Sequence, residues 1–183
     1  MKFQVGKSIF EIVEGDITRQ DCEAVVNAAN PRLSPGGGVS GAIHRAAGRQ
    51  LWEEAKKLGG CKTGEAKITK GYKLAKYVIH TVGPVYRGSK EDRELLENCY
   101  INSLKIAFEH KIKSIAFPAI STGIYGYPME EAAEVAIKAI INFLKNCDCE
   151  MNVKLVLYGN EAYKIHEKFL ERFMAKANKQ NFK

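Results

Sequence analysis

Apolar positions along the chain switch repeatedly between two periods. Short apolar or alternating runs at 3–5, 8–13, 24–28, 66–69, 77–82, 114–117 and 153–158 have the length and β-branched content of strands. A Gly6-Lys7 turn separates the first two runs, and Gly15-Asp16-Ile17-Thr18 breaks the second. Ile43, Ala46, Ala47, Leu51, Ala55 and Leu58 recur at helical spacing and predict one helix, stopped by Gly59-Gly60. A second long helix is marked by Leu95, Leu96, Cys99, Tyr100, Ser103, Leu104 and Ala107. A third is expected over about 130–144, and an amphipathic helix follows the last strand. Strands alternating with helices of this length imply an α/β fold, with a mixed, largely parallel sheet covered on both faces. The pattern reads as one domain over 1–174, followed by a polar tail, 175–183, expected to fray.

Composition narrows the class without naming an activity. With 183 residues, 45% of them apolar and 27% charged, the chain has the make-up of a globular domain large enough to bury a core unaided. No apolar run is long enough for a bilayer, and Met1-Lys2-Phe3 opens nothing like a signal peptide. The expected location is therefore the cytoplasm, and a monomer is the default state. Cys22, Cys61, Cys99, Cys147 and Cys149 include no Cys-x-x-Cys pair, which argues against a disulfide framework and a structural zinc site. No metal-ligand cluster is evident. A net charge of +7 favours acidic partners such as nucleotides or modified proteins. The lysines are spread over several segments without interleaved aromatics, so they read as solvated helix faces and nucleic acid is not the expected primary partner.

The chemistry concentrates in two glycine loops. Asn27-Ala28-Ala29-Asn30 closes a strand and runs into Gly36-Gly37-Gly38-Val39, just ahead of the helix-like segment 41–47. Glycines let backbone N–H groups approach an anion, and a helix start adds partial positive charge. Ser121-Thr122-Gly123-Ile124-Tyr125-Gly126-Tyr127-Pro128 repeats the arrangement after the sixth strand, with two hydroxyls available as donors. In an open α/β sheet, loops beyond the strand carboxyl ends converge on the ligand. Asp16-Ile17 and Tyr158-Gly159-Asn160 occupy that position as well. Two glycine loops facing each other suit a diphosphate. Neither matches the P-loop or the dinucleotide Gly-x-Gly-x-x-Gly pattern.

These segments, with Gly41-Ala42-Ile43-His44-Arg45-Ala46-Ala47-Gly48 and Thr81-Val82-Gly83-Pro84, resemble the macro domain family, and within it the MacroD-type branch. The matches lie in family order over nearly the whole chain. The resemblance implies a three-layer α/β/α fold with a mixed central sheet, binding ADP-ribose and needing no cofactor or metal. Carried over position by position, Asp16 accepts a hydrogen bond from the adenine amino group beside the Ile17 backbone, and Tyr158 packs on the base. The backbones of Gly37, Gly38 and Val39, and of Ser121, Thr122, Gly123, Ile124 and Tyr125, hold the diphosphate. Asn30 contacts the distal ribose, over which Tyr125 lies. Asp16 also reads as a cap of a short helix, and Asn27 as a structural tie of its own loop.

The chain departs from the family at one position. MacroD-type hydrolases read Gly-Gly-Gly-Val-Asp-Gly, with the aspartate positioning or activating water, and here that place is Ser40. A serine hydroxyl holds a water but takes no proton from it without a partner base. His44, four residues on, is a candidate base if it shares the helix face, and a packed or solvated histidine otherwise. The catalytic set on this reading is Asn30, Ser40 and His44. The expected function is hydrolysis of ADP-ribosyl esters on acidic side chains, or of O-acetyl-ADP-ribose, by activated water without a covalent intermediate. The alternative is a non-catalytic reader of ADP-ribose or ADP-ribosylated protein. A third is a phosphatase acting on ADP-ribose 1″-phosphate.

Overall fold

A computed structural model describes residues 1–180. Its strands are β1 Lys2–Val5, β2 Ser8–Glu14, β3 Ala24–Ala28, β4 Ala66–Lys70, β5 Tyr77–Thr81, β6 Ser114–Phe117 and β7 Asn152–Leu157. They form one sheet in the order β1-β2-β7-β6-β3-β5-β4. The edge strands β1 and β4 run antiparallel to their neighbours, and the inner pairs are parallel. The expected mixed, largely parallel sheet is thus present.

Side-chain alternation along the inner strands builds two cores. Ala24, Val26, Ile79, Ile115, Phe117, Leu155 and Leu157 pack with the apolar faces of α3 Lys90–Glu109, α4 Met129–Asn146 and α5 Asn160–Gln180. The intervening Val25, Val78, Ala116 and Val156 pack with Ile43, Ala47 and Leu51 from α1 Gly38–Ala47 and α2 Gln50–Ala55. The sheet is therefore sandwiched between two helical layers. Fully buried side chains such as Leu96, Leu104, Phe117 and Ile140 each contribute about 1.5–3 kcal/mol.

One expectation is corrected. The helix expected to run to Leu58 is broken into α1, α2 and a 3-10 turn, Lys56–Leu58. Gly48, at φ +93°, ends α1 and turns the chain while keeping the apolar spacing on one face. Helix α5 runs through Ala175 to Gln180, with Phe169, Phe173 and Met174 packed on the core just before the expected tail. Residues 181–183 of that tail lie outside the described residues. Cys147 and Cys149 pair as a disulfide across Asp148. A bridge over one intervening residue closes almost no loop, so it is a local clip and does not scaffold the fold. Among the described residues, no helix is long and apolar enough to cross a membrane.

Candidate functional site

The chain leaves β3 towards α1 on one face of the sheet, and leaves the neighbouring β6 towards α4 on the other. That divergence opens a crevice at the strand carboxyl ends. A cleft of about 500 Å³ lies there, lined by Asp16, Ile17, Gly38, Val39, Thr122 and Tyr158. The segments after β2, β3, β6 and β7, singled out in the sequence, therefore do meet. Gly37, Ser121, Gly123, Ile124 and Tyr125 belong to the same two loops but do not line this part of the cleft.

The first glycine loop ends in the N-terminus of α1. Gly37 is its N-cap, no side chain caps the first turn, and Gly38 adopts φ +53°. Nothing stands within 4 Å of a Cβ built on Gly37 or Gly38. The first-turn N–H groups are thus left for an anion. Gly41 has a different task. A Cβ there would collide with the Gly36 carbonyl, so the loop crosses directly over the helix.

The second loop is held from behind. Ser121 sits at φ +68° in a sparsely populated backbone region, and its carbonyl accepts the Tyr127 N–H at 2.9 Å. Gly83, after β5, leaves room for the Ser121 hydroxyl, which a Cβ would strike. That hydroxyl is buried and has no partner. Thr122, expected as a hydroxyl donor to the ligand, instead donates to the Ala119 carbonyl at 2.7 Å. Ile124 is fully exposed, and the half-buried Tyr125 accepts the Tyr86 N–H through its carbonyl at 2.9 Å.

Asp16 does cap the 3-10 turn Ile17–Arg19, with Oδ1 accepting from the Thr18 hydroxyl at 2.7 Å and the Thr18 N–H at 2.8 Å. The Thr18 hydroxyl and N–H hold its carboxyl below the usual carboxylate range. Oδ2 has only Arg19 at 4.0 Å and remains available to a ligand. Tyr158, at 86% exposure, is a ring standing at the cleft mouth with no core role.

Asn30, not Asn27, ties its loop. Its Nδ2 donates to the Ser34 carbonyl at 2.9 Å, and its Oδ1 accepts the Arg32 and Ser34 N–H groups, each at 3.1 Å. Asn27 lies under the sheet end, with its Nδ2 3.2 Å from His80 Nδ1. His80 Nε2 is 2.9 Å from Thr69 Oγ1, whose hydroxyl already donates to the Lys70 carbonyl. These contacts fit one neutral tautomer, with the proton on Nε2. Burial lowers His80 to about 3, with the nearby His44 ring adding to the shift.

Ser40 and Asn30 flank one point: a Cβ on Gly36 would lie 3.8 Å from Ser40 Oγ and 3.7 Å from Asn30 Nδ2. Ser40 Oγ is buried and unpartnered, as are both ring nitrogens of His44. The two residues share the buried face of α1 without bonding each other. Burial also holds His44 below its usual pKa and therefore neutral near pH 7. Among the described residues, no group of three or more His, Cys, Asp or Glu side chains is placed to hold a metal ion.

Sequence reasoning missed Ala42, Arg45, Met129 and Ala162 on the cleft wall. Val39, Ala42 and Arg45 are spaced by three residues from the glycine loop onward, and that helical spacing was the available signal.

The macro domain family profile matches residues 26–136, from β3 into the first half of α4. ADP-ribose glycohydrolase MACROD2 of Xenopus laevis is 50% identical over 96% of this chain, which spans 44% of that protein. A macrodomain of Oceanobacillus iheyensis solved with ADP superposes with a TM-score of 0.93 at 42% identity, covering 96% of this chain and 97% of that one. A Trypanosoma brucei macrodomain in complex with ADP-ribose gives a TM-score of 0.83 at 40% identity, covering 88% and 68%. The crevice between diverging β3 and β6 and the paired glycine loops thus belong to a shared fold, and this chain is a member of the macro domain family.

Proposed function

We propose that the cleft binds ADP-ribose, and that the protein hydrolyses ADP-ribosyl esters on acidic side chains, or O-acetyl-ADP-ribose, by activating water without a covalent intermediate. The observation that carries this reading is the uncapped N-terminus of α1 standing across the cleft from the second glycine loop. A diphosphate fits between two such backbone cradles, with a base at the Asp16 and Tyr158 end. The O. iheyensis and T. brucei macrodomains, solved with ADP and ADP-ribose, support the ligand, and the MACROD2 relative supports the reaction class.

On this reading Asp16 receives the adenine amino group on its free Oδ2, next to the Ile17 backbone, and Tyr158 covers the base. Gly37, Gly38 and Val39, with Ser121, Thr122, Gly123, Ile124 and Tyr125, hold the diphosphate through their N–H groups. Asn30 braces the loop against the distal ribose, and Tyr125 lies over that sugar. Ser40 hydrogen-bonds the attacking water, and the ligand's own α-phosphate polarises it, so catalysis is positioning and charge stabilisation. His44 is assigned packing, since neither ring nitrogen reaches Ser40.

The test is single-turnover release of ADP-ribose from a glutamate-ADP-ribosylated protein. Wild type is expected to release it, Asn30→Ala to lose at least tenfold, and Ser40→Asp to match or exceed wild type. Absence of release by a protein that still binds ADP-ribose overturns the hydrolase. One observation favours a reader in that event: Ser40 has no base in hydrogen-bond reach. Gain of activity in Ser40→Asp would then mark the missing carboxylate as the cause.

A further inference from the structure

The wall of the cleft carries a single cation. Among the residues that line it, Arg45 alone is basic and Asp16 alone is acidic. Arg45 stands in the last turn of α1, where the negative end of the helix favours a positive side chain. Its head group does not stay there. Nη1 lies 3.0 Å from where a Cβ on Gly41 would stand, one turn back towards the N-terminus, the direction in which helical side chains lean. The guanidinium is thereby carried to the point where the Gly36 carbonyl crosses the helix, beside the glycine loop.

That placement is unfavourable for an isolated cation, because the N-terminal turn is the positive end of α1. An internal carboxylate would offset it, but the ion pairs among the described residues use Lys7, Arg19, Arg93 and Lys138. Arg45 has none. An anion between the guanidinium and the first-turn N–H groups satisfies both at once. The planar fork of donors suits a phosphate oxygen pair better than a single carbonyl.

We propose that Arg45 contacts a phosphate of the bound ligand and makes the cleft select for phosphorylated adenosine compounds over adenosine itself. The proposal rests on the ADP-ribose reading above. It assigns charge recognition to a side chain, where the glycine loops supply only neutral N–H groups. Lysine at this position keeps the charge but not the two-pronged geometry.

NMR titrations of wild type, Arg45→Ala and Arg45→Lys with ADP-ribose, ADP and adenosine test it. Arg45→Ala is expected to weaken ADP-ribose and ADP about tenfold or more, the scale of a charge-assisted hydrogen bond, and to leave adenosine unchanged. Arg45→Lys recovers part of the loss. Raising salt should weaken ADP-ribose less in Arg45→Ala than in wild type. Because the side chain is exposed, the variants should unfold at the wild-type temperature. Unchanged ADP-ribose affinity in Arg45→Ala, or an equal loss for adenosine, overturns the role of Arg45 and leaves the functional reading intact. Failure of the wild type itself to bind ADP-ribose removes both.

Discussion

A histidine sealed from water folds neutral, and His80 shows what that costs at low pH. Its folded pKa is about 3, against 6.5 in an exposed ring. Between those values the unfolded chain binds the extra proton and the native state does not, so stability is full above about pH 6.5 and falls as pH drops towards 3. The loss approaches on the order of 4 kcal/mol for this one residue. His44 and His166, both lowered by burial, act in the same direction. Thermal unfolding between pH 7 and pH 4 should therefore show a steep fall in Tm for wild type and a shallower one for His80→Gln, whose amide can still meet Asn27 and Thr69. Parallel profiles would remove His80 from the account. The buried position of His80 is readable from its apolar run. Its partner Asn27 is not, because the two lie 53 residues apart and only the parallel register of β3 and β5 sets them side by side.

Element by element, legibility follows the range of the forces involved. Strand runs and glycine loops are local patterns, and they stand where the sequence places them. The break of α1 at Gly48 was lost because apolar spacing continues in phase through the turn. Gly83 and Gly41 look like ordinary turn and helix glycines in the sequence. Their purpose lies in contacts with Ser121 and the Gly36 carbonyl, which only packing reveals. The contrast between two neighbouring glycines makes this testable. Gly41→Ala places a methyl against a carbonyl and is expected to lose about 1–3 kcal/mol as the loop is pushed off the helix. Gly37→Ala, at φ −86° with open space around the Cβ, should be close to neutral for stability. Denaturant unfolding of the two variants ranks them, and a Gly37→Ala as damaging as Gly41→Ala would overturn the crossing argument.

At the scale of the whole molecule, two kinds of structure have been placed at opposite ends of one requirement. The sheet and its two helical layers are held by apolar side chains removed from water, and the few ion pairs are largely exposed and add little. At the cleft and in the loops beside it stand groups that the core excludes: the uncapped N–H groups of α1 and the unpaired Arg45 guanidinium at the wall, with a strained Ser121 and the unpartnered Ser40 and Ser121 hydroxyls just behind it. Those groups come from α1 with the glycine loop that leads into it and from the loop after β6, at the junction where β3 and β6 diverge. A ligand that satisfies them binds the folded chain and has no counterpart site in the unfolded one. Linkage then requires it to raise stability by about 2.7 kcal/mol when present at one hundred times its Kd. For a chain of this length that corresponds to an increase in Tm of about 5–10 °C. Thermal unfolding with ADP-ribose should show this rise, with a smaller one for adenosine at equal concentration, since adenosine leaves the α1 N-terminus and Arg45 unanswered. A protein whose Tm ignores ADP-ribose would have a cleft whose open polar groups serve some other anion, and the reading of the site would have to begin again from Arg45 and the glycine loops.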